Sequence, residues 1–446
     1  SMEYNQVAQW VRPVVHWSFW LQWLTTGIDP LPFRLFNLLL HGANCVLVAW
    51  LAGVLIENRR AGMIAGTGFA LLPIHPEAVT WIAGRSDLLS TLGVLWALLA
   101  WTRCCCEGGR WRHAVLAGAG LALAVLSKEM GVVTIALIFV LSLSFFRSSL
   151  RRQRAGLLLF VVLSALYLVL RVQLLGGIGG SHTDAGETLQ TGLEPRHAML
   201  FASKAIRFMI SPVHEMFHTS TGAVLYKIAL YSWIALTALA LLSRERLRVL
   251  RLGLPLALML VISLAPVANW AFINPDFRST RYLYLPSVFT CIALGVLATR
   301  VGRSNTASRS RTQLPVLCLG VLAIWAVWSH QLVVVNRTWN TAGQQTRSLL
   351  ETMPELRRRP KHIIAGLPRS VNGAFVYRNG YRQAVELFVG EGLTLHLLKP
   401  DEWEDMRQQV LAGELDRSPR HFLRWDEHLG WTEEPWVEPV VPEVTR

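Results

Sequence analysis

The sequence predicts a polytopic α-helical membrane protein of about ten transmembrane helices with a small C-terminal α/β domain, and three observations carry that prediction. Of 446 residues, 52% are hydrophobic and only 16% charged, with a mean hydropathy of +0.36. Soluble domains carry about 25% charged residues, so the composition argues against a purely soluble chain. Long apolar segments recur from Leu35 to Trp328, and the loops between them alternate in charge. The net charge of +14 is not a nucleic-acid footprint: 38 of the 43 basic residues are Arg, scattered in small clusters with no basic arm.

The apolar runs are 33–54, 61–74, 88–103, 113–127, 131–146, 155–172, 226–242, 252–268, 283–299 and 313–328. Several are shorter than the roughly 20 residues a perpendicular helix needs, which predicts truncated or tilted helices where a cavity enters the bilayer. One set of loops holds the Arg clusters: Arg59-Arg60; Arg103, Arg110 and Arg112; Arg147 to Arg154; Arg244 to Arg251; Arg300 to Arg311. The positive-inside rule places these in the cytoplasm and turns the opposite loops, the N-terminus and everything after His330 outward. The same rule makes 196–212 an amphipathic helix on the outer interface rather than another span. Residues 1–32 carry no apolar span although the topology sets them outside, so we read 1–32 as a first outer loop and expect a transmembrane helix upstream of it.

After His330 the composition becomes polar. A β-like HIIAGLP run (362–368), an alternating GAFVYRNGY (373–381) and charged helical stretches predict an outward-facing α/β domain over 331–446, with 33–330 as the membrane body. Cys45, Cys291 and Cys318 lie in apolar runs, and the consecutive Cys104-Cys105-Cys106 close another. Adjacent cysteines do not have zinc-ribbon spacing, so they read as a solvated helix end, with lipidation as the alternative.

The outward loops concentrate ionisable residues at apolar helix ends. His75-Pro76-Glu77 precedes Trp81 and Gly84-Arg85-Ser86-Asp87. Ser127-Lys128-Glu129 is squeezed between two spans. Asp276, Arg278, Arg281, Tyr282 and Tyr284 form the third group. Each has a plain reading, in which Ser86 or Asp87 caps the helix at Leu88, Lys128 with Glu129 ends a helix, and Arg281 anchors an interface. Three loops placing carboxylates and cations on one membrane face favour a functional site, because ionisable groups at membrane depth are costly.

The runs HPEAVTWIAGRSDLLSTLG (75–93), LSKEMGVVT (126–134) and RYLYLPS (281–287), with Trp10-Val11-Arg12-Pro13 and FRLFNLLLHGANCVLVAW (33–50), resemble the membrane half of the tetratricopeptide-containing transmembrane O-mannosyltransferases and their bacterial relatives. The resemblance covers roughly residues 10–170 and 265–300. It implies a GT-C-like fold with an outer-face active site that takes a sugar, mannose or a related hexose, from a polyprenyl-phosphate carrier to an acceptor hydroxyl on a protein or glycan. It implies a lipid-linked donor rather than a bound cofactor, leaves room for a divalent metal without assigning ligands, and predicts contact with membrane lipids and none with nucleic acid. Carried over, His75, Glu77, Arg85 and Asp87 fall in the family's second outer loop, Lys128 and Glu129 in its lysine-glutamate motif, and Arg281 with Tyr282 in its late arginine-tyrosine motif.

Such chemistry needs a carboxylate to take the acceptor's proton and cations to hold the departing phosphate. The carboxylates Asp87, Glu77 and Glu129 are therefore the catalytic candidates. Arg85, Lys128, Arg281 and Arg12 are assigned to the phosphate, with Tyr282 and His75 in the substrate site. The chain departs from the family in lacking tetratricopeptide repeats, which leaves the acceptor open. The family's acidic residue of the first outer loop has no match ahead of Arg12, so we expect the principal base upstream as well. A composition rich in Ala, Leu and Arg and poor in Lys fits a bacterial plasma membrane, with the C-terminal domain in the periplasm.

Two competing classes remain. His214-Glu215-Met216-Phe217-His218 matches the H-E-x-x-H of zinc proteases, although Pro212 and a TSTG turn flank it. A non-catalytic transporter would show two related halves with broken spans, and no such symmetry is visible.

Overall fold

The computed structural model describes residues 12–107, 111–175, 195–217, 220–268, 271–300, 307–352, 362–366, 370–376, 394–398, 420–426 and 430–434. It divides into two compact units, Ser1–Val335 and Asn336–Arg446.

The first unit is helical. Its elements are α1 (Pro13–Thr26), α2 (Pro30–Ile56), α3 (Arg59–Leu71), the single turn α4 (Pro76–Val79), α5 (Arg85–Cys106), α6 (Trp111–Ser127), α7 (Thr134–Phe145), α8 (Leu150–Leu175), α9 (Pro195–Ile210), α10 (Ser220–Leu241), α11 (Arg246–Leu264), α12 (Tyr284–Arg300) and the first part of α13 (Ala307–Thr352), whose residues from Asn336 belong to the second unit. Every apolar run read from the sequence meets one of these helices. Seven helices among the described residues are long and apolar enough to cross a membrane, rather than ten. The three that fall short are α3, α6 and α7, with 13, 17 and 12 residues. Each is cut at a polar segment: α3 stops ahead of His75, and α6 and α7 are separated by the Lys128 motif.

Caps set the helix starts. The Asp29 carboxylate accepts the Leu31 N–H at 3.0 Å and Pro30 occupies the first turn of α2, while the Asn58 amide oxygen accepts the Arg60 N–H at 2.9 Å at the head of α3. At α5 neither Ser86 nor Asp87 caps. A 3₁₀ turn, Ile82–Gly84, runs directly into the helix at Arg85, which leaves Asp87 inside the first turn with its side chain free to point elsewhere.

The core is α5, buried along most of its length and packed on α6, α2 and α7, while α12 lies against α3 and α11. Small residues allow α5 and α6 to cross closely: a Cβ on Gly93 would sit 2.5 Å from the Ala124 nitrogen, and one on Gly120 2.6 Å from the Ala97 nitrogen. The helices α8 and α10 instead expose long rows of Leu, Val and Ile, as lipid-facing helices do. The 196–212 stretch folds as α9, whose Phe201, Ala205, Phe208 and Met209 are buried while Met199 and Lys204 face out. The first outer loop read over 1–32 contains a helix, α1, with Trp17, Trp20 and Trp23 exposed.

In the second unit, β1 (His362–Gly366) pairs in parallel with β4 (Thr394–Leu398) and β5 (Arg420–Asp426), and β5 pairs antiparallel with β6 (Gly430–Glu434), in the order β4-β1-β5-β6. A separate hairpin, β2 (Ser370–Val371) and β3 (Ala374–Phe375), turns on Asn372 and Gly373, both at positive φ, as a two-residue turn requires. It lies beside the end of α13, where the Thr346 hydroxyl donates to the Val376 carbonyl at 3.0 Å. The charged stretches expected to be helical lie outside the described residues, as does most of GAFVYRNGY after Val376.

Candidate functional site

Three segments far apart in sequence bring their ionisable side chains together at one end of the bundle. The first is α4 and the start of α5. The second is the break between α6 and α7. There Lys128 is a single extended residue (φ −158°, ψ 140°), followed by a 3₁₀ turn, Glu129–Val133. Gly131 makes the break possible, since a Cβ there would lie 2.4 Å from the Ala124 carbonyl oxygen. The third is the 3₁₀ turn Thr280–Leu283 ahead of α12, reached through Phe277 and Ser279, both in the left-handed region at φ 66° and 70°. Non-glycine residues seldom hold that conformation outside sites that over-determine it.

Lys128 Nζ donates to Asp87 Oδ1 at 2.6 Å, and the two side chains are 5% and 8% exposed. The ammonium also lies 5.0 Å from the centre of the Tyr282 ring. The Arg281 guanidinium stands between two rings, 4.8 Å from Trp81 and 4.9 Å from Tyr282, and donates to the Tyr282 hydroxyl at 2.9 Å. Glu77 is almost fully buried and accepts the Arg281 backbone N–H at 2.9 Å, with the guanidinium Nε 3.9 Å from its other oxygen. Glu77 and Asp87 both act on Arg281 electrostatically. The result is a compact group of two carboxylates and two cations floored by aromatic rings, a setting in which charges act more strongly than in water.

Next to it, Arg12 grips Glu129 through Nε at 3.2 Å and Nη2 at 2.8 and 3.0 Å. Burial alone would raise the Glu129 pKa, but the charges of Arg12 and Lys128 outweigh it and hold the carboxyl below its usual 4.5. A folded value below the unfolded one means that the pair stabilises the fold above about pH 4.5 and loses that contribution as pH falls through the depressed value. Thermal unfolding from pH 7 downward should therefore show an acid-dependent loss that Glu129→Gln removes. Tyr167 of α8 lies within electrostatic reach of this pair and of Arg171. Sequence reading missed both, although an Arg and a Tyr one helical turn apart at the end of an apolar run are a visible signal.

The structure takes two candidates away from this group. Arg85 is fully buried, and its guanidinium donates to Asn37 Oδ1 (3.0 Å), Ser18 Oγ (3.2 Å), Gln22 Oε1 (2.7 Å) and the Phe33 carbonyl (3.2 Å). It also stacks 4.2 Å from Phe19 and 4.8 Å from Phe36. These contacts join α1, α2 and α5. Asn37 extends the junction by donating to the carbonyls of Val79, Trp81 and Ile82. His75 is also buried, with Nε2 2.9 Å from the Ser287 hydroxyl and its ring against Phe69 and Tyr284. Burial first, and then the neighbouring His41, lowers its pKa well below 6.5. A polar stripe on α2 (Asn37, His41, Asn44) reaches the same layer, His41 Nδ1 meeting the Tyr284 hydroxyl at 2.7 Å. Its spacing of four and three residues inside an apolar run is the mark of one helix face.

Asp276 turns back on its own loop, accepting the Arg278 N–H at 3.0 Å and pairing with its guanidinium. The H-E-x-x-H segment forms a 3₁₀ turn, Glu215–Phe217, rather than the α-helix that would set two His on one face, and His214 Nδ1 accepts the Met216 N–H at 3.2 Å. His218 lies outside the described residues. Among the described residues no group of three or more His, Cys, Asp or Glu is placed to hold a metal ion.

Helices and buried charge thus define the class: a multi-pass helical membrane protein with an ionisable site at the ends of its helices. Comparison with known proteins gives the particular relationship. Residues 11–171 match the family described as dolichyl-phosphate-mannose-protein mannosyltransferase. Protein O-mannosyl-transferase TMTC4 of Mus musculus is 26% identical over 405 residues, covering 77% of this chain and 53% of that protein. Protein O-mannosyl-transferase tmtc2 of Xenopus laevis is 39% identical over 129 residues, 28% of this chain and 15% of that protein, and TMTC3 of Homo sapiens is 32% identical over 126 residues, 28% and 14%. The chain spans about half the length of TMTC4 and less of the others. No solved structure matches. The resemblance read from the three motifs, to the membrane part of the O-mannosyltransferases, therefore holds.

Proposed function

We propose that this chain is the membrane part of a GT-C-type glycosyltransferase that moves a sugar, mannose or a related hexose, from a polyprenyl-phosphate carrier to a hydroxyl of a protein acceptor on the outer face of a plasma membrane. The supporting observation is the convergence of Glu77, Asp87, Lys128, Arg281 and Tyr282 from three separate segments into one buried group. In the reaction the acceptor oxygen bonds to the anomeric carbon, the bond from that carbon to the carrier's phosphate oxygen breaks, the acceptor proton passes to a carboxylate, and polyprenyl phosphate leaves. Lys128 and Arg281 supply positive charge for the phosphate as it gathers electrons. Asp87, held by Lys128, is the carboxylate placed to orient the acceptor or take its proton. Glu77 fixes the Arg281 turn through the backbone N–H, and Arg12 with Glu129 anchors α1 beside the lysine. Arg85 and His75 support the site from below rather than touching the donor. The second unit, with its mixed sheet, is the outward-facing α/β domain of this reading. The names of the relatives support a protein acceptor and a mannosyl donor.

The test is transfer of radiolabelled sugar from a polyprenyl-phosphate donor in membranes carrying the full-length protein. Label should move to a protein fraction. Membranes with the protein that transfer no more label than those without it would overturn the reading.

A further inference from the structure

The other end of the same helices carries a second feature. A groove of about 230 Å³ opens between α2, α5 and α6, lined by Leu47 and Trp50, by Trp96, Leu99 and Arg103, and by His113 and Leu116, among others. Its wall begins at Trp96, about 14 Å of helix from Asp87, and its charged rim at Arg103 lies about 24 Å away at 1.5 Å per residue, close to the hydrocarbon thickness of a bilayer. The groove shares no residue with the site above, and its charged rim lies at the opposite ends of these helices.

Its chemistry is two-sided. Trp50, Trp96 and Leu116 leave 43%, 42% and 42% of their surface open, so the walls are apolar and accessible from the lipid. The Arg103 guanidinium lies 4.6 Å over the Trp50 ring at the rim, and among the described residues it has no carboxylate partner. Arg112 and His113 stand beside it around a single carboxylate, Glu107, so the local charge is positive. His113 is buried, its Nε2 is 3.0 Å from Glu107, and among the described residues its Nδ1 has no hydrogen-bond partner. A buried, unpartnered ring nitrogen in the wall of an apolar groove is costly unless something polar meets it.

We propose that this groove holds one anionic glycerophospholipid, with an acyl segment along Leu47, Trp96, Leu99 and Leu116 and its phosphate on Arg103. The volume is below the roughly 300–1,000 Å³ of pockets that enclose a whole ligand, so it takes part of one chain and leaves the rest in the bilayer. Arginine suits the phosphate because its planar fork binds two oxygens, and its stacking on Trp50 fixes that fork at headgroup depth. His113 Nδ1 meets the glycerol or headgroup hydroxyls. Basic residues at a membrane surface attract anionic lipids in general, so specificity is what must be tested.

The experiment is native mass spectrometry of the full chain in delipidated detergent, titrated with phosphatidylglycerol or with phosphatidylcholine of the same chains. One phosphatidylglycerol should be retained roughly fivefold to tenfold more strongly than phosphatidylcholine. Arg103→Gln should abolish that preference, and Leu116→Trp, which fills the groove and leaves the charge, should lower retention of both lipids. Arg246→Gln, an exposed Arg at the start of α11, should leave the preference intact. Equal retention of the two lipids by the wild type would overturn the proposal. So would an equal loss in Arg246→Gln, which would mean diffuse surface charge, or equally potent displacement by polyprenyl phosphate, which would give the groove to the sugar carrier. A melting curve of each variant in the same detergent separates loss of lipid from loss of fold.

Discussion

Lys128→Met and Asp87→Asn should each lower sugar transfer by about 10²-fold to 10³-fold, the range seen when one preorganised electrostatic partner is removed from a reacting site. Each single change also leaves the other charge stranded, and breaking a buried pair in this way costs about 3–5 kcal/mol of stability. A drop in activity alone would therefore not separate chemistry from folding. The charge-neutral double variant Asp87→Asn/Lys128→Met does. It removes both charges from a site where they are 8% and 5% exposed, so the stability penalty should largely vanish while transfer stays lost. Thermal unfolding in detergent and radiolabel transfer, measured on the same four proteins, give the two axes. Recovery of near wild-type turnover in the double variant would show that the pair only holds α5 to the break after α6, and the proposed roles would fail.

Much of the helical body is legible because it is written in runs of apolar residues, and a run survives any uncertainty about which helices touch. Its lengths are less legible. The segments at 61–74, 113–127 and 131–146 fold as helices too short to be counted as spans: the first stops at Leu71 ahead of His75, and the other two are parted by a turn built for the site, with the extended Lys128 and the close approach that Gly131 permits. The helix α1 is hidden for another reason. Its Trp, Ser, Gln and His residues follow no clean apolar period, and its place comes from partners far along the chain, Arg85 above all. By contrast, Val371-Asn372-Gly373-Ala374 carries an Asn-Gly hairpin signal that sequence reading passed over. For the site, motif order brought the correct segments together, but the division of labour among its cations needed geometry. Arg85, Lys128 and Arg281 look alike as basic residues at apolar helix ends. Only their neighbours separate a buried structural guanidinium from two cations gathered around Asp87 and Tyr282.

That distinction gives the second large effect. Arg85→Ala should destabilise the protein by about 3–5 kcal/mol, because it strands the acceptors on Asn37, Gln22 and Phe33 and opens a cavity under two aromatic rings. Arg85→Lys should recover little of this. An ammonium has no planar fork, so it cannot bridge Asn37 on α2 and Gln22 on α1 at once, and it loses the flat face that lies on Phe19. The expected signature is a large fall in unfolding midpoint for both variants, with the KM for the lipid-linked donor unchanged in whatever fraction of Arg85→Lys remains folded. A phosphate-binding Arg85 predicts the reverse pattern: near-normal stability for the lysine variant, which keeps the charge, and a raised KM for the donor. Limited proteolysis adds a third readout, since loosening the junction frees Gln22, whose amide also donates to the Pro32 carbonyl at 2.8 Å across the α1–α2 corner, and should expose the chain around Gly27, where α1 ends. If the midpoints hold and the KM rises, Arg85 returns to the phosphate, and α1 must be anchored chiefly through Arg12 with Glu129 and through Gln22 on Pro32.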